Sequence, residues 1–159
     1  MALGSFAAPP DKRFFEDYEP GQAYDLGATT VSEQQIVDFA REFDPQDFHV
    51  DQERAARTQY GGIIASGWHT VALAMQLYVR HYLSPASSMG SPGAEAILWP
   101  NPLRPGDTMR IHVTILQARP SRSKPDRGIV RTRVEAINQR DEQVLSMVVV
   151  SILRRRPAA

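Results

Sequence analysis

The chain of 159 residues has no cysteine and only two lysines, and its eighteen Lys and Arg are matched by eighteen Asp and Glu. Without cysteine there is no disulfide framework, no thiolate zinc or iron–sulfur site, and no thiol nucleophile. That absence suits a reducing compartment, so the expected location is cytoplasmic. The balanced charge excludes a bulk basic nucleic-acid binder and a polybasic membrane-surface protein. Long apolar runs are also missing. The longest stretch free of Asp, Glu, Lys and Arg, Thr58 to Val79, is broken by Gly61, Gly62, Ser66, Gly67, His69 and Gln76. It reads as a buried helix with its approach loop, not a membrane span. The opening MALGSFAAPPDKRFF has neither a positive start nor a sustained apolar stretch, so no secretory signal is expected. No internal repeat is visible. Residues 1–13 and 154–159 read as flexible tails around one domain, 14–153.

What is present has the composition of a globular domain, 42% hydrophobic and 23% charged. Gln22 to Val31 is an extended candidate. Ser32 with Gln35 forms a capping box, and Ile36, Val37, Phe39, Ala40 and Phe43 follow at helical spacing. Asp44-Pro45 ends that helix, because the residue before proline disfavours helical backbone. Asp51 can cap a short helix, Gln52 to Arg57, which Gly61-Gly62 closes off. Gly67 to about Leu83, capped by Ser66, is the strongest helix, and it is apolar enough on most faces to be wrapped by protein. The period then changes to two. Gly93 to Trp99, Thr108 to Ile115, Gly128 to Ile137 and Gln143 to Leu153 read as strands, the last one central because Val148, Val149 and Val150 are apolar on both faces. One buried helix against an antiparallel sheet puts the fold in the α+β class. A cystatin-like cone is the alternative, but it places its helices before all the strands.

The densest polar cluster is Asp44-Pro45-Gln46-Asp47-Phe48-His49. A carboxylate and an imidazole five residues apart across a proline-led turn can converge on one water. On spacing alone, the plainer reading is that Asp44 closes a helix and His49 packs against it. Asp47 reads as solvated or paired with an arginine. His49, His69, His81 and His112 form no paired-histidine motif, so no metal is expected. Gly61 to Thr70 is the second signal: small residues that bring backbone close to a ligand, ahead of a helix start whose unpaired N–H groups can hold a developing oxyanion. It can equally be a tight entry into a buried helix. Ser66 lacks a nucleophile elbow and reads as a cap.

These blocks carry a resemblance. Asp44-Pro45-Gln46-Asp47-Phe48-His49 resembles the Asp-x-Asn-Pro-x-His motif of the MaoC-like dehydratases, the (R)-specific enoyl-CoA hydratase group. Gly61 to His69 resembles their glycine-rich lead into the central helix. Trp99-Pro100-Asn101-Pro102-Leu103-Arg104-Pro105-Gly106-Asp107 resembles a third family block. The resemblance runs from about Phe14 to Leu153. It implies a hot-dog fold with the long helix as filling, a homodimer or higher homo-oligomer, and a tunnel admitting an acyl-CoA or acyl-carrier thioester. It also implies reversible hydration of a trans-2-enoyl thioester to an (R)-3-hydroxyacyl thioester. Asp44 and His49 would be the catalytic pair, with Gln46, Gly62, Ser66 and Gly67 contacting substrate or oxyanion. Coenzyme A would enter as part of the substrate and no cofactor is implied. Gln46 replaces the motif's Asn, and Asp47 its Pro. Two other readings are a hot-dog thioesterase and a non-catalytic acyl-thioester binder. The first is disfavoured because Gly67 to Tyr82 holds no Asp or Glu, where such enzymes place an acid.

Overall fold

Ser32 accepts the Gln35 N–H at 3.1 Å while the Gln35 side chain accepts from the Ser32 N–H at 2.8 Å, so the capping box starts α1 (Glu33–Phe43) as the sequence predicts. The structure, a computed structural model, describes residues 3–158. Before α1 lies β1 (Ala23–Thr30). After it come a single turn, α2 (Asp47–Val50), then α3 (Gln52–Ala56), capped by Asp51 through the Arg54 N–H, and α4 (Gly67–Leu77). Four strands follow: β2 (Gly93–Leu98), β3 (Thr108–Pro120), β4 (Arg127–Asn138) and β5 (Gln143–Arg154). They form one antiparallel sheet in the order β1-β3-β4-β5-β2.

Period-two patterning explains which face carries the core. Met109, Ile111, Val113 and Ile115 of β3, Val130, Val134 and Ala136 of β4, and Leu145, Met147 and Val149 of β5 are all buried on the side where α4 packs. β5 lies inside the sheet, between β4 and β2, as its two apolar faces require. β3 runs five residues beyond the expected Ile115. A register shift between Ile115 and Gln117 breaks the alternation there and hides the continuation in the sequence.

The long helix also departs from expectation. It is α-helical only to Leu77, and Tyr78–Tyr82 forms a π turn, closed by the Leu83 N–H on the Tyr78 carbonyl at 3.0 Å. Tyr78 and Tyr82 are fully buried, and their hydroxyls meet Ser151 and Thr132 at 3.2 and 2.7 Å. The side of the helix that stays open carries Trp68 and Val79, both more than half exposed. The N-terminal segment read as a flexible tail is packed instead. Phe6 stacks on Tyr24, and the buried Arg13 donates to the His81 and Tyr82 carbonyls at 2.8 and 3.1 Å, closing the end of the π turn. At the other terminus Arg154 belongs to β5, while Arg155 and Arg156 pair with Glu16 and Asp17. Residues 1, 2 and 159 of these tails lie outside the described residues.

Asp107 locks the β2–β3 connection to the β4–β5 turn. Its buried carboxylate takes a fork from Arg140 at 2.8 and 2.9 Å, the Gln139 amide at 2.8 Å and the Arg104 N–H at 3.0 Å. Burial pushes this carboxyl up, but the Arg140, Arg104 and Gln139 donors outweigh it and hold it below the usual carboxylate range. Asp107→Asn keeps the shape and loses the charge-assisted fork. The expected cost is about 2 kcal/mol at neutral pH, near the low end for such bonds because Arg140 is half-exposed. Because the folded value is depressed, the contribution is present above the ordinary carboxylate pKa and fades as pH falls through the folded one. Urea unfolding should therefore show the gap between wild type and variant narrowing in acid.

Candidate active site

Asp44 stands at the C-terminal end of α1, where Pro45 stops the helix, and its own N–H still reaches the Ala40 carbonyl at 2.9 Å. Gln46 precedes the single turn of α2, and His49 follows within that turn. The turn brings the His49 Nε2 to 3.3 Å from Asp44 Oδ2. On the other side of the ring, Nδ1 lies 2.7 Å from the Ile64 carbonyl. A carbonyl can only accept, so Nδ1 carries a proton and a neutral His49 keeps its lone pair on Nε2. His49 is buried, while the Asp44 side chain retains 19% exposure.

Asp44 is held by two donors. Ser66 Oγ donates to Oδ2 at 2.7 Å and Gln46 Nε2 donates to Oδ1 at 2.8 Å. Burial pushes the carboxyl up. The Ser66 and Gln46 hydrogen bonds, joined by His49 when its ring is charged, outweigh that and hold it below its ordinary value. Gln46 thus supplies an amide donor to Asp44 despite the extra methylene. Asp47 turns outward and pairs with Arg54 at 3.0 Å, so its charge is met at the surface and not at the pair.

The Ser66 hydroxyl does two jobs, because it also accepts the Trp68 N–H at 3.3 Å as the cap of α4. Thr70 N–H reaches the Ser66 carbonyl at 3.1 Å. First-turn N–H groups have no intrahelical acceptor. Among the described residues, nothing accepts from Gly67 N–H, and Gly67 lines a pocket of about 470 Å³ together with Asp44, Gln46 and His49.

The structure brings Asp44, Gln46, His49 and Gly67 to one pocket, with Ser66 directly behind Asp44. Gly62 is not brought in. The chain turns at Gly61, Ile63 and Ile64 run into the interior, and the Cβ position of Gly62 faces open space. Residues that sequence reasoning did not single out complete the walls: Tyr60, Trp68, Asn101 and Val144. Trp68 had a visible signal, an aromatic directly after the helix-start glycine. Val144 had none, since only the sheet brings β5 beside α4. His69 is buried, stacks on Phe39 with centroids 4.5 Å apart, and is pushed down in pKa by burial. Among the described residues no group of three His, Asp or Glu side chains could hold a metal ion, and no helix is long and apolar enough to cross a membrane.

Among solved structures, the MaoC-like dehydratase from Rhodospirillum rubrum is 40% identical with a TM-score of 0.85, covering 92% of this chain and 99% of its own. The R-hydratase PhaJ1 from Pseudomonas aeruginosa shares the fold at 22% identity and TM-score 0.71, over 90% of this chain and 86% of its own. A Mycobacterium tuberculosis protein described as a double hotdog fold matches at 19% identity and TM-score 0.78, over 96% of this chain and 47% of its own. The MaoC-like domain model covers residues 16–138. With that match spanning most of its length and the helix-on-sheet architecture shared with those structures, this chain belongs to the MaoC-like dehydratase family and has the hot-dog fold.

Proposed function

We propose that this protein adds water reversibly to a trans-2-enoyl thioester, in the first place an enoyl-CoA, giving an (R)-3-hydroxyacyl thioester. The observation that carries this reading is the pair of acceptors, the Asp44 carboxylate and the His49 Nε2, 3.3 Å apart on a pocket wall. A water between them can donate one O–H to each, which leaves its lone pair free to attack C3. Asp44, held ionised, is the weaker proton acceptor and orients the water. His49 Nε2 takes the proton as the C3–O bond forms. The imidazolium, facing Asp44, then delivers a proton to C2 as the enolate collapses. Gly67 N–H meets the thioester oxygen while it carries that charge, a contact typically worth ~3 kcal/mol. One water is added and nothing else is consumed, so no cofactor is called on beyond the coenzyme A of the substrate.

Loss of enoyl absorbance on a short-to-long panel of trans-2-enoyl-CoA esters tests the reading, and no turnover on any ester would overturn it. The charge state assigned to Asp44 gives a second check: in an NMR titration of its carboxyl, removing a donor should raise the depressed pKa, most in Ser66→Ala and by less in Gln46→Ala.

The proposed working unit is a homodimer, and cytoplasmic residence accords with the cysteine-free chain. β2 is an outer strand of the sheet and is exposed along most of its length; its last residue Leu98, and Trp68 and Val79 on the long helix, are each more than half exposed. An unpaired apolar edge of this kind is a natural place for a second copy.

A further inference from the structure

Trp99 connects parts of the site that are far apart in sequence. It follows β2 and leads into Pro100-Asn101-Pro102, where two prolines restrict the backbone. Beyond them the segment is tied down. Asn101 Nδ2 donates to the Gln143 carbonyl at 2.9 Å, and the buried Leu103 accepts the Ala65 N–H at 2.8 Å. At the near end, Trp99 Nε1 donates to the Gly67 carbonyl at 2.9 Å. Residues 99–103 therefore grip the backbone on both sides of Ser66, at 65 and at 67. The indole lies against Gly67 so closely that a Cβ there would sit 2.6 Å from Cδ2 and 2.8 Å from Nε1. The Trp68 ring meets it edge-on at 5.3 Å, and both rings line the pocket that holds Asp44 and His49.

The geometry points to Trp99 as a positioning and specificity-determining residue of this site. Its indole N–H sets the first turn of α4, and through it the Ser66 hydroxyl that holds Asp44 and the Gly67 N–H that faces the thioester oxygen. Its ring is a fixed wall against which the acyl group rests. A tryptophan serving stability alone would be sunk in the core, whereas this one is 40% exposed and spends its only donor on the carbonyl of the first residue of α4. The kinetic part of this inference rests on the hydratase reading, and the wall part does not.

Trp99→Phe and Trp99→Ala separate the two roles, assayed on the enoyl-CoA panel and, by calorimetry, for binding of saturated acyl-CoAs of increasing length. Phenylalanine keeps a ring and loses the donor. The expected result is a kcat lower by about five- to tenfold with KM and chain-length preference nearly unchanged. Alanine removes the wall, so turnover and binding should both shift toward longer or bulkier acyl groups relative to short ones. Should the alanine variant fail to fold, Trp99→Leu replaces it with the same expected direction. A Trp99→Phe enzyme with wild-type kcat would overturn the positioning role. A small-side-chain variant that weakens every chain length in the same proportion would overturn the wall. Wild type that binds acyl-CoA without hydrating any ester would remove the hydratase reading and the kinetic role with it, leaving the binding series to decide the wall. Wild type that binds no acyl-CoA overturns both.

Discussion

His49→Ala should lower hydration of trans-2-enoyl-CoA by about a thousandfold, because it removes the group proposed both to take and to return the proton. Asp44→Asn should cost about a hundredfold. The amide preserves most of the shape, keeps an acceptor and can still meet Gln46 and Ser66, but it cannot stabilise the imidazolium 3.3 Å away. In the proposed mechanism the two groups act on one water, so the double variant should be no worse than His49→Ala alone, since the effects of groups acting as a unit do not add. An Asp44→Asn loss larger than that of His49→Ala would reverse the assignment of roles and make Asp44 the proton acceptor. Stability separates the variants further. His49 is buried and its Nδ1–H serves the Ile64 carbonyl, so truncation leaves a small cavity and an orphaned acceptor. A lower melting temperature for His49→Ala is therefore expected, and rates should be compared well below it, with circular dichroism confirming the fold.

Gly67→Ala is the second large effect. In a helix interior alanine is favoured over glycine by about 1 kcal/mol, so propensity alone predicts a small gain in stability. The Trp99 indole reverses the sign. A methyl group at residue 67 would overlap the ring, and overpacking of this kind costs about 1–3 kcal/mol. The ring can escape only by giving up its hydrogen bond to the Gly67 carbonyl and moving into the pocket. The expected outcome is a lower melting temperature with a loss of about a hundredfold in kcat/KM, since the donor proposed for the thioester oxygen and the pocket wall are disturbed together. Trp99→Ala in the Gly67→Ala background should then cost much less stability than in wild type, because the clash it relieves is the one the methyl group creates. Additive effects in that cycle would show that the contact carries no energy.

Local chemistry made much of this protein legible from residues alone. The capping box at Ser32 and Gln35, the stop at Asp44-Pro45, the Asp51 cap and the alternation along β3 and β4 all involve neighbours within a few positions, and the structure reproduces them. The Asp44–His49 approach belongs with them, because one turn of helix is enough to bring positions five apart together. Gln46 was legible as an amide but not as a donor to Asp44, which depends on the rotamer that the turn allows.

Other features needed the tertiary fold because their causes are distant in sequence. Gly62 looked like part of the glycine-rich lead, yet the turn at Gly61 leaves it off the pocket. The N-terminal segment lacks any strong pattern, but Arg13 is drawn inside by carbonyls that the end of the π turn leaves without helical partners. The β3 bulge and the exposed side of α4 were hidden for the same reason, as periodicity reports which faces are apolar but not what covers them. The sequence by itself determined most of the elements, their order and the approach of His49 to Asp44, since each rests on short-range sterics and hydrogen bonding. Only the tertiary structure decided that Trp99 would lie on Gly67 and that Ser66 would hold Asp44, because sheet and helix packing brings together groups 32 and 22 residues apart.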